Sequence, residues 1–286
     1  MHNDLKSHLS NIIKESITKV SVIHGGDISE AFKIETPDNC YFLKLNKALN
    51  ALKMFQAETY GLQLIGKTNT IKTPEVLACD SFQNSAFLLM EFIESKAAST
   101  EDLENLGKQL AHLHHCTSTY FGLDQNNFIG SLPQSNKTNI SWVKFYTTER
   151  LLVQLELAKQ KGLLSNNEFP TAQKIEEALE PLFADVKPAL LHGDLWSGNY
   201  LISSDGTPYL IDPAVYYGHN EVDIAMTKLF GGFGNSFYDA YHANLKKDEH
   251  TSYRIDIYQL YYLLVHLNLF GSSYYGSVVS ILKKYF

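Results

Sequence analysis

Cysteine is scarce in this chain: Cys40, Cys79 and Cys116 are three in 286 residues, far apart and without a CxxC spacing. An odd, scattered set excludes a disulfide framework and fits free thiols in a reducing cytoplasm. A basic surplus is also missing, since 24 Lys and Arg stand against 31 Asp and Glu for a formal net charge of −7. Without excess cations to neutralise a phosphate backbone, no nucleic-acid partner is expected. Long apolar runs are absent too. The most apolar stretch, Tyr261 to Phe270, is too short to cross a bilayer and carries His266 and Asn268. It reads as a core helix, and no membrane partner is expected. Met1 to Glu15 mixes charges with short apolar pairs and lacks the apolar centre of a secretory signal, so a cytoplasmic location is expected.

What is present is enough apolar and aromatic residue, 44% and 12%, for a sizeable core in two domains or one bilobal unit. The first ninety or so residues read as strands around one helix. Val20 to His24 and Ala31 to Glu35 flank a Gly-Gly turn, and Cys40 to Leu45 alternates. Leu52 to Ile65 has helical spacing and Gly66 is placed to end it; Val76 to Cys79 and Phe87 to Ile93 are two more strands. Beyond Ile93 the pattern turns helical. Ser99 with Asp102 resembles a capping signal, and helical periodicity recurs at 103–113, 142–161, 171–184, 222–230 and 254–270. Strands are expected there at Ala189 to Leu191, Tyr200 to Ser203 and Tyr209 to Ile211, the last two joined by Ser204-Asp205-Gly206. The segment 124–139, rich in Asn, Gln, Ser and Pro, reads as an exposed loop. The expected fold is α+β: a small antiparallel-sheet lobe over residues 1–93, then a larger helical lobe over 94–286.

The most informative string is His192-Gly193-Asp194-Leu195-Trp196-Ser197-Gly198-Asn199, followed by Ile211-Asp212-Pro213 at the end of a short hairpin. Phosphoryl transfer from a nucleotide needs a carboxylate to take the proton of an attacking hydroxyl and hard oxygen ligands to hold Mg²⁺ against the phosphates. Asp194 suits the first role; Asn199 and Asp212 suit the second. Asp or Asn alone would be ordinary turn chemistry, but this spacing downstream of a sheet-rich lobe favours a site. Lys44 ends an alternating strand where a cation could reach phosphates, and Glu58 in the following helix is placed to hold it. Gly25, Gly26 and Ser29 lie in a turn whose backbone N–H groups could approach an anion, although the string is neither GxGxxG nor Walker A and reads equally as a plain hairpin. Met90, Glu91, Phe92 and Ile93 could receive an adenine edge; the same residues also read as an ordinary buried strand. His112, His114, His115 and Cys116 are read as helix packing rather than a metal site, and Asp223 as a capping or buried hydrogen-bonding acid.

The strings LLHGDLWSGN at 190–199, IDPA at 211–214, YGHNEVDIAMTKLFGGF at 217–233 and WVKFYTTERL at 142–151 closely resemble the fructosamine kinase (ketosamine 3-kinase) family. That family belongs to the aminoglycoside and choline phosphotransferase branch of the protein-kinase-like fold. The resemblance implies ATP-dependent phosphorylation of the sugar 3-hydroxyl in ketoamine adducts, small molecules or glycated proteins, after which the phosphate leaves and the amine is regenerated. It implies Asp194 as catalytic base, Asn199 and Asp212 as Mg²⁺ ligands, Lys44 and Glu58 as the phosphate-positioning pair, and Asp223 as the acid that buttresses the catalytic loop. Trp196 and His192 are expected on the substrate side. Two other readings remain: a kinase of another small hydroxylated amine, and a silent nucleotide-binding protein.

Overall fold

The computed structural model describes residues 2–24, 29–183 and 185–286. Helix α1 (Asn3–Ile13) precedes a five-stranded antiparallel sheet made of β1 (Lys19–Ile23), β2 (Glu30–Glu35), β3 (Cys40–Asn46), β4 (Val76–Phe82) and β5 (Ser85–Glu91) in the order β1-β2-β3-β5-β4, with α2 (Ala51–Gly66) inserted after β3. Successive side chains of a strand point to opposite faces, and β5 is buried on both. Its Phe87 and Leu89 pack with Leu5 and Leu9 of α1, while Leu88 and Met90 pack with Phe55 and Leu62 of α2. The sheet is therefore sandwiched between two helices. Only α2 was expected; the Leu5, Leu9 and Ile12 spacing of α1 is masked by the charges between.

A short strand, β6 (Ser95–Lys96), leaves the sheet and leads into α3 (Thr100–His114). The cap of α3 is reciprocal: Ser99 Oγ accepts from the Asp102 amide at 3.2 Å and the Asp102 carboxylate accepts from the Ser99 amide at 2.9 Å. The segment 124–139 is not the exposed loop its composition suggests. It holds the hairpin β7 (Asn127–Ile129) and β8 (Leu132–Gln134), with Asn127, Ile129, Gln134 and Asn136 buried. Its polar side chains are consumed inside: Asn127 Nδ2 donates to the Val215 carbonyl at 2.8 Å and Gln134 Nε2 to Asn127 Oδ1 at 2.8 Å. Buried amides need such partners, so polarity alone is a poor guide to exposure.

α4 (Trp142–Tyr146) runs through a π turn into α5 (Leu152–Gln160). In that turn the fully buried Arg150 stacks 3.9 Å from the ring centre of Tyr216 and donates to the Ser135 carbonyl at 2.6 Å and Asn136 Oδ1 at 2.7 Å. α6 (Ala172–Leu179) leads to β9 (Ala189–Leu191), β10 (Tyr200–Ser203), β11 (Pro208–Leu210) and β12 (Tyr216–Gly218). β10 pairs with β11 and with β6, and β9 with β12. The chain ends with α7 (Glu221–Leu229), α8 (Asn235–Asn244), α9 (Thr251–Phe270) and α10 (Tyr275–Tyr285), packed into one large apolar core with α3 to α6. α8 and α10 were not expected, because their aromatic and glycine content weakens the helical period.

Candidate active site

A cleft of about 1440 Å³ opens between the sheet and the helical part. From the sheet side Ser29, Lys44, Glu58 and the strand end Met90, Glu91, Phe92 and Ile93 line it; from the helical side Asp194, Trp196, Asn199 and Asp212 do. Residues far apart in the chain thus meet at one cavity. Gly25 and Gly26 lie outside the described residues.

The loop between β9 and β10 is held from behind. Asp223, fully buried at the start of α7, accepts the amide of His192 at 2.7 Å and that of Gly193 at 2.8 Å. Burial pushes its pKa up, but the hydrogen bond and charge of His114, the nearby His192 and the Gly193 amide outweigh it, and the group lies below its ordinary value. His114 links onward: its Nε2 is 3.0 Å from the Asp223 carboxylate and its Nδ1 2.7 Å from the hydroxyl of Tyr241. Tyr262 of α9 donates its hydroxyl to the Gly193 carbonyl at 2.8 Å. Gly193 itself has φ +86°, and a Cβ there would fall 2.1 Å from the Ala214 carbonyl oxygen, so only glycine fits.

His192 does not face the cleft, contrary to expectation. It is fully buried, with Nε2 donating to the Ile211 carbonyl at 2.8 Å and Nδ1 accepting the Asp194 amide at 3.2 Å, a geometry that requires the neutral Nε2–H ring. Burial lowers its pKa and keeps it neutral. Its place is inside the loop, between Asp194 and the Asp212 segment.

Asp194 points into the cleft. Burial, with the charge of Asp223 adding and the Asn199 hydrogen bond opposing, raises its pKa to about 7. Asn199 Nδ2 donates to the Asp194 carbonyl at 2.8 Å, which leaves Oδ1 as the atom available to a cation. Asp212 has φ +54°, a left-handed conformation that turns its carboxylate back toward Lys44, with which it forms an ion pair. Lys44 Nζ is also 2.8 Å from Glu58 Oε1. Among the described residues no group of three or more His, Cys, Asp or Glu side chains could hold a metal alone. One amide and one carboxylate oxygen nevertheless suit Mg²⁺, which keeps most of its shell for water and phosphates. Trp196, 37% exposed, lies flat against Gly198, where a Cβ would fall 2.4 Å from a ring carbon. It lines the cleft beside Asp194 and Asn199.

The His114–Asp223 contact was missed from sequence, where the α3 histidines read as packing.

A family model for fructosamine kinase matches residues 1–286. A curated protein named "Probable ketoamine kinase" from Lactiplantibacillus plantarum is 41% identical over 282 residues, covering 98% of this chain and 99% of its own. A chloroplastic protein-ribulosamine 3-kinase of Arabidopsis thaliana is 38% identical over 275 residues, covering 94% and 83%. A crystal structure of a protein from Haemophilus somnus named "Putative fructosamine-3-kinase" superposes with a TM-score of 0.87 at 28% identity, over 98% of this chain and 96% of the other. An aminoglycoside phosphotransferase superposes with a TM-score of 0.63 at 14% identity, over 99% of this chain and 98% of the other, a likeness of fold alone. The fold is α+β and protein-kinase-like.

Proposed function

Since the chain belongs to the fructosamine kinase family, we propose that it is a ketoamine 3-kinase that phosphorylates the 3-hydroxyl of sugars attached to amines, using ATP, and so reverses glycation. The supporting observation is the convergence of Asp194, Asn199, Asp212 and the Lys44–Glu58 pair on one cleft. In this reading residues 1–93 hold the nucleotide, with the adenine edge at Glu91 to Ile93, and residues 94–286 hold the sugar.

Asp194 accepts the proton of the attacking 3-hydroxyl as its oxygen bonds to the γ-phosphorus and the bond to ADP breaks. A base with a pKa of about 7 is matched to this task near neutrality. Lys44, held by Glu58, positions the nucleotide phosphates. Asn199 Oδ1 and the Asp212 carboxylate would hold Mg²⁺, which offsets charge on the transferring phosphates when bound. Asp223, His192 and Tyr262 fix the loop so that Asp194 is aimed without reorganisation. The position phosphorylated explains the outcome: loss of a proton from C1, next to the C2 carbonyl, expels phosphate from C3, and water hydrolyses the resulting imine to release the amine.

Substrates are small ketoamines or glycated proteins. A cytoplasmic location agrees with the three free cysteines, and among the described residues no helix is long and apolar enough to cross a membrane. The test is ADP release and ³¹P NMR with ribulose-, erythrulose-, psicose- and fructose-lysine, with and without Mg²⁺. Phosphate appearing on C3, dependent on both ketoamine and metal, is the expected result. ADP release indifferent to the ketoamine overturns the proposal.

A further inference from the structure

The cleft extends past the catalytic loop into a group of aromatic rings that none of the roles above uses. Helix α9 turns one face to it: Tyr262, His266, Leu269 and Phe270 all line the cavity, at the spacing of successive turns. The His266 ring lies 4.8 Å from that of Phe230, 5.5 Å from Phe270 and 5.1 Å from Tyr274, centre to centre. Phe230 is 39% exposed and Phe270 52%, beside the half-exposed Trp196 of the catalytic loop. Large apolar side chains are seldom left open in a group beside a reaction site without a ligand to cover them.

We propose that Phe230, His266, Phe270 and Tyr274 form a π-faced box for the secondary ammonium of the ketoamine and the first methylenes of its alkyl arm. The inference rests on the ketoamine reading of the preceding subsection and specifies how the amine is recognised. Two observations carry it. Acids lining the cavity among the described residues are Glu58, Glu91, Asp194 and Asp212. Glu58 and Asp212 are committed to Lys44, Asp194 is given to the acceptor hydroxyl in the reading above, and Glu91 lies at the end of β5, where its carboxylate accepts the Glu75 amide at 3.2 Å. A cation in the box therefore meets ring faces, which attract ammonium groups by their quadrupoles, rather than a dedicated carboxylate.

The second observation is distance. Tyr262 is bonded to the Gly193 carbonyl, next to Asp194, and His266 follows on the same face of α9, about 6 Å further along the axis. In a ketoamine the nitrogen is bonded to C1 and the acceptor hydroxyl to C3 of one sugar, so a hydroxyl at Asp194 places the ammonium about one helical turn away. His266 suits a cationic guest: its Nδ1 is taken by the Tyr262 carbonyl at 2.8 Å, and burial lowers its pKa so that the ring stays neutral.

The test compares an N-alkyl ketoamine with a matched ketose carrying an ether oxygen in place of the amine nitrogen, in the wild type and in Phe230→Leu, Phe270→Leu, Phe230→Tyr and Phe270→Tyr. Leucine keeps apolar bulk and removes the ring; tyrosine keeps the ring. The wild type is expected to favour the amine in kcat/KM through a lower KM. The leucine variants should cut that preference by about two- to thirtyfold, the range a cation–π contact supplies, and the tyrosine variants should restore it. Equal loss on both substrates, a preference untouched by leucine, or no preference in the wild type overturns the box. If the wild type phosphorylates no ketoamine, the preceding reading falls and the box with it. A wild type active on ketoamines whose leucine variants keep the preference sinks the box alone.

Discussion

Replacing Asp194 by Asn should cut turnover sharply and at the same time stabilise the protein at neutral pH. In the unfolded chain this carboxyl ionises near 3.8, while in the folded protein burial, chiefly, and the charge of Asp223 hold it near about 7. Between those values the native state carries a proton that the unfolded chain has lost. Raising the pH through this window therefore costs the wild type stability, and the cost is complete only above about 7. Moving this carboxyl from 3.8 to about 7 has an upper worth of about 4 kcal/mol. Solvent access at the cleft floor reduces that to about 1–3 kcal/mol, or a few degrees in Tm for a chain of this size. The neutral amide avoids the cost. Thermal unfolding of both proteins without nucleotide, from about pH 4 to about pH 8, should show a gap that is small at the acid end, widens toward neutrality and then levels. Turnover should drop by about two or more orders of magnitude. A gap that is constant with pH refutes the buried, costly carboxylate, and turnover within tenfold of the wild type removes Asp194 from the role of base.

The same ionisation governs activity: kcat/KM should fall about tenfold per unit below the Asp194 pKa of about 7, and a profile flat across that point would contradict the assignment. Gly193→Ala sets a Cβ 2.1 Å from the Ala214 carbonyl in a left-handed backbone, so the loop must shift; kcat should fall about a hundredfold, as misplacement by about 1 Å typically costs, and a near-normal kcat would show the loop tolerates it. Trp196→Ala should raise the ketoamine KM more than the ATP KM, and the reverse order counts against a sugar-facing ring. EDTA should stop the reaction and added Mg²⁺ restore it; activity that survives chelation excludes the Asn199–Asp212 cation site.

The sheet, its crossing helix and the strings at 192–199 and 211–213 that meet at the cleft were legible because each announces itself locally, by alternation, by period or by fixed spacing. Lys44 and Glu58 could be paired from a strand followed by a helix with an acid at its centre. His192 was misjudged because a motif gives spacing, not direction: the side chain beside Asp194 turned inward to the Ile211 carbonyl. The β7–β8 hairpin was hidden by its amides, which look solvated until Val215 and Asn127 are brought to them by chain folding. A string can also mislead in the other direction. Residues 61–68, GLQLIGKT, fit the pattern of a phosphate-binding loop, yet most of them are the last turns of α2, where their amides serve the helix. His114 and Tyr241 could not be joined to Asp223 beforehand, since that chain of contacts exists only once three helices pack.

Lys44 stands between two carboxylates, Glu58 and Asp212, and this has a bearing on how reactants enter. A bare divalent ion arriving at Asp212 would meet an acid already ion-paired with the ammonium it shares with Glu58, so breaking that pair would offset part of the gain. A metal arriving with a nucleotide changes the exchange, because the phosphates offer the lysine a new anion at the moment the carboxylate is given a new cation. On the proposed reading, this exchange of partners would favour Mg²⁺ that arrives with ATP over the bare ion, with no residue set aside for the purpose.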